Sequence, residues 1–297
     1  MSGAGGLTPG KHARPERPIE ADWLALRRPL DTAAREPARA LIEQLGAWVV
    51  ANRSPGVPVQ VFDVGAGTGA NQAYLAPRLP FPSQWTLLDH DPELLSHPGQ
   101  GPGTRVVAGI TDLAGLLDAP ASGPAGAARA AGDPARVVTC SALLDLLTVA
   151  ELDALADTLA TRAVPALFAL TVTSQVQWTP ADPGDALACE AFTAHQERRG
   201  RPGPAAADYL RRACTERELE VHGVPTPWHI DTSDPVMVPF VLRWLDDYAA
   251  AAIEQQPDAA ATITPWLQRR RRQVDQHDLR VAVGHEDLLI LPAGRLR

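Results

Sequence analysis

The stretch Val59-Gln60-Val61-Phe62-Asp63-Val64-Gly65-Ala66-Gly67-Thr68-Gly69 decides the fold of this chain. Its first half is apolar and rich in β-branched residues, which predicts a buried strand. Three glycines then alternate with small residues, and glycine permits positive φ angles and a close approach of the backbone to a ligand. The pattern therefore predicts a strand that ends in a ligand-binding turn and is followed by a helix.

Asp63 precedes the first glycine by two residues and narrows the choice of ligand. A carboxylate facing the ligand would repel a pyrophosphate and attract an ammonium group. Gly65, Gly67 and Ala70 also fit the Gly-x-Gly-x-x-Gly/Ala pattern of dinucleotide-binding proteins. A nicotinamide-dependent oxidoreductase and a glycine turn without a ligand therefore remain alternatives.

The spacing Asp-x-Gly-x-Gly-x-Gly after an apolar strand resembles the cofactor loop of class I S-adenosylmethionine-dependent methyltransferases. The resemblance is close over residues 40–175 and weak over 20–35 and 176–297, where the chain is similar to actinobacterial-type small-molecule methyltransferases. It implies S-adenosyl-L-methionine as cofactor and methylation of a small-molecule acceptor at oxygen or nitrogen. A non-catalytic S-adenosylmethionine-binding protein is a further alternative.

Strand patterns alternate with helical patterns along the chain, which predicts βαβ units and a parallel sheet. The expected strands are 59–64, 84–89, 104–108, 136–140 and 164–173, and the expected helices between them are 69–78, 91–96 and 150–162. Later segments predict helices at 205–218, 235–256 and 260–275 and a strand at 219–230. The expected fold is α/β: a Rossmann-like seven-stranded, mostly parallel sheet with helices on both faces and a C-terminal antiparallel hairpin. That hairpin is placed at 279–284 and 288–291, with His285 in its turn.

The chain is interpreted as one domain, 19–297, behind a disordered tail, 1–18, that is rich in Gly, Pro and charge. By resemblance, residues 20–50 form an N-terminal helical lid, and 176–218 form an insertion after the fifth strand. The Ala-, Gly- and Pro-rich segment 118–135 predicts a surface connection.

The resemblance implies cofactor contacts at the ends of the first four strands. Asp89 ends the second strand and can accept hydrogen bonds from both hydroxyls of a ribose. Asp112 follows the third strand, where it could accept the adenine amino proton, cap the next helix, or do both. The expected cofactor-binding residues are Asp63, Gly65, Ala66, Gly67, Gly69, Asp89, His90, Asp112 and Cys140.

The acceptor is expected between the first helix, the ends of strands four and five, and the insertion. His195 is the candidate general base because the ordinary pKa of histidine lies near 6.5, although a surface or capping histidine is the alternative. The expected substrate-contacting residues are Arg27, Arg35, Asp145, Trp178, His195, Gln196 and Trp228. Some have structural alternatives: an ion-paired helix face for Arg27 and Arg35, a helix cap for Asp145, and packing for Trp178.

Composition excludes several classes of partner. The chain of 297 residues has 27 basic and 35 acidic residues and a net charge of -8, which argues against nucleic acid. The run Arg269–Arg272 is interpreted as a solvent-exposed helix face. Three distant cysteines predict no disulfide framework and no metal site, and the chain lacks both a signal-peptide pattern and an apolar run of the ~18–20 residues that span a membrane. A cytoplasmic protein is expected, with a homodimer considered possible.

Overall fold

The strands and helices were located in a computed structural model that describes residues 19–54, 56–119 and 135–293. The prediction of a disordered tail at 1–18 lies outside these residues, as does most of the predicted connection 118–135. The strands are β1 Val59–Val64, β2 Ser83–Asp89, β3 Thr104–Val107, β4 Arg136–Ser141, β5 Ala166–Thr179, β6 Leu219–Pro225, β7 Trp228–Asp231 and β8 Arg280–Pro292. The α-helices are α1 Ala21–Ala34, α2 Arg39–Asn52, α3 Ala70–Leu75, α4 Pro92–Leu95, α5 Leu113–Asp118, α6 Val149–Arg162, α7 Asp185–Gln196, α8 Ala206–Thr215, α9 Val238–Gln255 and α10 Ala260–Asp275.

One sheet contains all eight of these strands, in the order β3-β2-β1-β4-β5-β8-β6, with β7 also paired to β8. Strands β1 to β5 pair in parallel, whereas β8 is antiparallel to β5, β6 and β7. This confirms the expected fold class, with one strand more than the seven predicted.

The C-terminal antiparallel element is built differently from the prediction. β8 runs unbroken from Arg280 to Pro292, so the turn expected around His285 is absent. Besides β5, it pairs with β6 and β7. These two strands replace the single strand predicted at 219–230, which is interrupted at Thr226 and Pro227. The backbone N–H of Thr226 donates to the carbonyl of His285 at 2.8 Å and keeps the break close to the sheet.

The fifth strand is longer than the predicted 164–173. β5 continues to Thr179 through two shifts of register against β8, and Leu170 has a φ of 54° at the first of them. Residues 176–179 of the predicted insertion therefore belong to β5, and the rest of its range contains α7 and α8.

Side chains that alternate along the strands fill a core on each face of the sheet. On one face, Val61 and Leu87 pack with Leu45 of α2. On the other, Phe62 and Val138 pack against α5, α6 and α8. A third core joins α1, α7, α9 and α10 to the far end of β5 and to β7 and β8.

Trp178 lies in this third core and not on a substrate wall, which corrects its predicted contact with the substrate. Its ring stacks on Trp244 at 5.4 Å between centroids and meets Trp266 edge-on at 5.3 Å. The side chain is 9% exposed. Packing, the alternative interpretation, is the one that agrees with these contacts.

The arginine run of α10 is also more than an exposed face. Arg270 is completely buried, lies 4.8 Å from the ring centroid of Trp178, and donates to the carboxylate of Asp185 and, at 2.7 Å, to the carbonyl of Pro180. Arg269 pairs with Asp182, and Arg271 pairs with Asp246. These ion pairs join α10 to the start of α7 and to α9, so the predicted exposed face is wrong for Arg270.

Replacing Arg270 by leucine should lower the free energy of unfolding by about 3–5 kcal/mol, because it leaves the Asp185 carboxylate without its buried partner. Urea unfolding followed by circular dichroism measures this. Arg272→Leu is the matched control, since Arg272 is exposed on the same helix, and it should change stability by no more than about 0.5 kcal/mol. Equal effects of the two substitutions would contradict the proposed role of the buried pair.

Candidate functional site

The loop between β1 and α3 has the geometry that its glycines predict. The φ angles of Gly65, Gly67 and Gly69 are 66°, 53° and 84°, in the left-handed region that favours glycine. A Cβ atom on Gly65 would lie 3.2 Å from the side chain of Leu143, and one on Gly67 would lie 3.2 Å from Leu24 of α1. Any other residue at these three positions would strain the backbone, and Leu143 and Leu24 leave little room for a side chain at Gly65 and Gly67.

Asp63 lies beneath this loop and does not face the ligand side of it. One carboxylate oxygen accepts hydrogen bonds from Asn71 at 2.6 Å and Thr139 at 2.9 Å, and the side chain is completely buried. Burial raises the pKa of this carboxyl to about 6, against the opposing effect of the two hydrogen bonds. The expectation of direct contact with a cofactor ammonium is therefore corrected: Asp63 positions Asn71, and Asn71 lines the cavity.

Asp89 occupies the expected place at the end of β2. It accepts a hydrogen bond from the backbone N–H of Gly67 at 2.8 Å and another from the N–H of Asp91 at 3.0 Å. The adjacent His90 has its Nδ1 atom 3.2 Å from the same carboxylate. Asp89 thus joins the end of the second strand to the middle of the glycine loop.

Gln100 is a residue of the site that the sequence analysis missed. Its amide nitrogen donates to the carbonyl of Gly67 at 2.6 Å and to that of Leu94 at 3.2 Å. It stands in a segment of glycine and proline residues, and no motif or periodicity marks it. Only the fold shows that Gln100 binds the carbonyl of Gly67, whose N–H is bound by Asp89.

Two cavities meet above the loop. The first, of about 150 Å³, follows the glycine loop and is here called the loop cavity. The second, of about 700 Å³, lies between α1, the end of β4, β5, α7 and α9 and is called the large cavity. Five residues line both cavities: Ile19, Arg27, Ala142, Leu146 and Arg201.

Most of the predicted site residues are brought to these two cavities. Gly65, Ala66, Gly67, Asp89 and His90 line the loop cavity. The large cavity is lined by Arg27, Asp145, His195, Gln196 and Trp228.

Besides Asp63, three of the expected cofactor residues do not line the loop cavity. Cys140 is buried in the core beneath the sheet edge, and it is the next residue, Ser141, that lines the loop cavity. Asp112 accepts a hydrogen bond from the N–H of Gly109 at 2.9 Å within its own turn, and its side chain forms no capping hydrogen bond to α5, the helix that it was expected to cap. Gly69 begins α3 and does not line the loop cavity.

Arg35 belongs to a buried polar network and not to the large cavity. It donates to Asn71 at 2.9 Å, lies 4.1 Å from the ring centroid of Tyr74, and has its Nε atom 3.8 Å from a carboxylate oxygen of Asp287. It faces a separate cavity of about 240 Å³ that Arg28 and Arg78 also line. This cavity shares Asp31, Ala70, Asn71 and Ser141 with the loop cavity, so the contact expected of Arg35 stays a prediction.

The titratable side chains of the large cavity differ in their contacts and in the effect of burial on their pKa. His195 is contacted by Arg198 and lies 3.6 Å from Glu254. His285 packs against Trp228, and burial lowers its pKa to about 4. Burial raises the pKa of Asp145 to about 6, while Arg27 and Arg201 act in the opposite direction.

Comparison with known proteins gives no matching family model and no matching curated protein. Among solved structures, the cyclopropane synthase MmaA2 from Mycobacterium tuberculosis shares 13% identity over 92% of this chain and 94% of that chain, with a TM-score of 0.45. A cyclopropane-fatty-acyl-phospholipid synthase-like protein from Lactobacillus casei shares 14% over 89% and 98%, also at 0.45. The plantazolicin methyltransferase BpumL, in complex with SAH, shares 13% over 92% and 91%, at 0.38. Similarity at this level is one of fold and identifies neither a reaction nor a substrate.

The sheet order, the glycine loop after β1 and the acid that ends β2 agree with the α/β fold that the sequence predicts. Among the described side chains, no group of three or more His, Cys, Asp or Glu residues could hold a metal ion. None of the helices in residues 19–54, 56–119 and 135–293 is long and apolar enough to cross a membrane.

The buried Asp63 carboxyl predicts a specific dependence of stability on pH. Its pKa is about 6 in the folded protein against 3.8 as the ordinary value, so the folded state binds the proton more tightly. The protonated carboxyl therefore contributes about 3 kcal/mol to the free energy of unfolding at low pH, and this contribution is lost as the pH rises from about 4 to above 6. Asp63→Asn cannot ionise, so the stability of this variant relative to the original protein should rise by about that amount between pH 4 and pH 7.

Urea unfolding at several pH values measures this difference. Asp258→Asn, at an exposed position, is the control and should show a difference from the original protein that does not vary with pH. A constant difference for Asp63→Asn as well would show that Asp63 does not titrate in this range.

Proposed function

We propose that this protein is an S-adenosylmethionine-dependent methyltransferase that methylates a small-molecule acceptor at oxygen or nitrogen. The observation that carries the proposal is the junction of the two cavities. A cofactor in the loop cavity and an acceptor in the large cavity would meet at the wall that Arg27, Ala142, Leu146 and Arg201 share. Two substrates that react directly need such an adjoining pair of sites.

The loop cavity suits this cofactor better than it suits a dinucleotide. The N–H of Gly67, which would have to face a pyrophosphate, already donates to Asp89. Three carboxylates, Asp31, Asp89 and Glu151, line the cavity together with the guanidinium groups of Arg27 and Arg201, and Arg27 is already paired with Asp31. Carboxylates repel phosphate groups, but they attract an ammonium or sulfonium group and accept hydrogen bonds from ribose hydroxyls.

S-adenosylmethionine, when bound, supplies a methyl group on a positively charged sulfur. The protein's part is to hold the reacting atom of the acceptor at the shared wall, because proximity and orientation can supply up to ~7–11 kcal/mol of a reaction barrier. Trp23, Phe192 and Trp228 line the large cavity and would keep water away from it. We propose that α1, which brings Leu24, Arg27 and Asp31 to these cavities, acts as the lid.

A proton acceptor is needed if the acceptor atom carries a proton. His195 remains the proposed base, and its position on the wall of the large cavity supports this role. Its pairing with Arg198 and Glu254 fixes the ring and leaves fewer orientations for proton transfer. Asp145 is a second candidate for the proton acceptor. It lies in the turn after β4 that also brings Leu146 to the shared wall, and it lines the large cavity.

Other parts of the proposal concern the surroundings of the protein. Its three cysteines are free, and two of them are buried, which supports a reducing compartment such as the cytoplasm. The partner proposed is the small-molecule acceptor, without nucleic acid. A homodimer remains a prediction.

Calorimetric titration with S-adenosylhomocysteine tests the cofactor assignment. Micromolar binding is expected, and Asp89→Ala should weaken it by roughly tenfold to hundredfold, because hydrogen bonds to a charged group contribute about 1.5–3 kcal/mol. Glu220→Ala removes an exposed carboxylate on β6 and should leave the affinity unchanged.

The same titration with a nicotinamide dinucleotide distinguishes the oxidoreductase alternative. Binding of the dinucleotide without binding of S-adenosylhomocysteine would overturn the proposal. If S-adenosylhomocysteine binds and neither Asp89→Ala nor Glu220→Ala changes its affinity, the cofactor assignment stands but Asp89 is not part of the cofactor site.

A further inference from the structure

We propose that the acceptor is a zwitterion with an apolar, ring-bearing body, in which Arg201 binds the carboxylate and Asp145 binds the ammonium or amine. This inference rests on the proposed function, because it names the class of molecule that fills the large cavity. It follows from which charged groups of that cavity are already paired and which are not.

Most of the charged side chains around the large cavity have partners. Arg27 pairs with Asp31 at 2.8 Å, and Arg243 pairs with Glu20 at 2.9 Å. Other ion pairs on the rim join Asp247 to Arg243, and Glu254 to both His195 and Arg198. These groups balance one another and leave little net charge to attract a ligand.

Arg201 forms no such ion pair among the described residues, although its charge acts against the burial that raises the pKa of Asp145. Its Nε atom is buried without a hydrogen bond, and no ion pair within 4 Å reaches its guanidinium from the part of the chain that the structure describes. A buried donor left unsatisfied costs about 1–3 kcal/mol, and more if it is charged. Because the side chain lines the junction of the two cavities, a carboxylate placed there would satisfy it, and guanidinium binds carboxylates in a planar, two-bonded geometry.

Asp145 supplies the opposite charge close by. It stands in the short turn Leu144–Leu146, which packs against the turn Gly203–Ala205 just beyond Arg201. Asp145 lines the large cavity and, among residues 19–54, 56–119 and 135–293, forms no ion pair within 4 Å. An ammonium group beside it would favour the ionised carboxylate, against the burial that raises its pKa.

The rest of the cavity is apolar and aromatic. Trp23, Phe192, Trp228, Trp244 and Tyr248 line it, together with aliphatic side chains of β5. Its volume of about 700 Å³ accommodates a fused ring system. A ligand that complements all of these features carries both charges at one end, at the cofactor junction, and an apolar ring at the other.

Three probes with one ring system test this inference: L-tryptophan, 3-indolepropionate, which lacks the amine, and tryptamine, which lacks the carboxylate. Their dissociation constants are measured by calorimetry in the presence of saturating S-adenosylhomocysteine. Tryptophan should bind at least tenfold more tightly than either of the other two. Arg201→Gln should weaken the binding of tryptophan and 3-indolepropionate by tenfold or more and leave the binding of tryptamine unchanged. Asp145→Asn should weaken the binding of tryptophan and tryptamine and leave the binding of 3-indolepropionate unchanged.

The unaffected probe in each case shows that the variant is folded, and Arg272→Gln, at an exposed position, is the control for loss of an arginine. If S-adenosylhomocysteine binds but tryptophan has no advantage, or if each substitution weakens all three probes equally, the inference is wrong and the proposed function stands. If S-adenosylhomocysteine does not bind to the folded protein, the proposed function itself fails.

Discussion

The buried carboxylate of Asp63 is the constraint on which the rest of the site depends. A charge in the core must be paired or hydrogen-bonded, and Asp63 recruits Thr139 from β4 and Asn71 from α3. Asn71 in turn accepts a hydrogen bond from Arg35, whose guanidinium lies near Asp287 of β8. The network therefore ties the segment after α1 to the first, fourth and eighth strands, and that attachment places α1 over the glycine loop.

The same helix creates the boundary between the two cavities. Arg27 lines both, and its ion pair with Asp31 is extended by a hydrogen bond from the indole of Trp228 to Asp31 at 3.1 Å. The far wall comes from α7 and α9. The buried pair of Arg270 and Asp185 joins α10 to α7, and the pair of Arg271 and Asp246 joins α10 to α9. The large cavity thus depends on electrostatic links between elements that are remote in sequence, and these links leave Arg201 and Asp145 as its unpaired charges.

The parts of the fold that the sequence predicted are those that local patterns govern. A parallel strand buried on both faces and a glycine with positive φ each follow from neighbouring residues. The structure places Trp178, Arg35 and Cys140 outside the cavities expected for them, because each expectation depended on the direction of a side chain. In a strand, a shift of one residue moves a side chain to the other face, and the bulges of β5 that lie before Trp178 leave no trace in its pattern of apolar residues.

The sequence by itself determined the fold class, the glycine loop and the acid at the end of β2, since all three are set by residues within short stretches of chain. Only the tertiary structure decided that Asp63 supports the loop from below, that Gln100 binds the carbonyl of Gly67, and that Arg201 and Asp145 line the same cavity. Such relations arise from packing between segments far apart in the chain. Hydrogen bonds and ion pairs over those distances depend on where the helices come to rest on the sheet, which no local pattern of residues records.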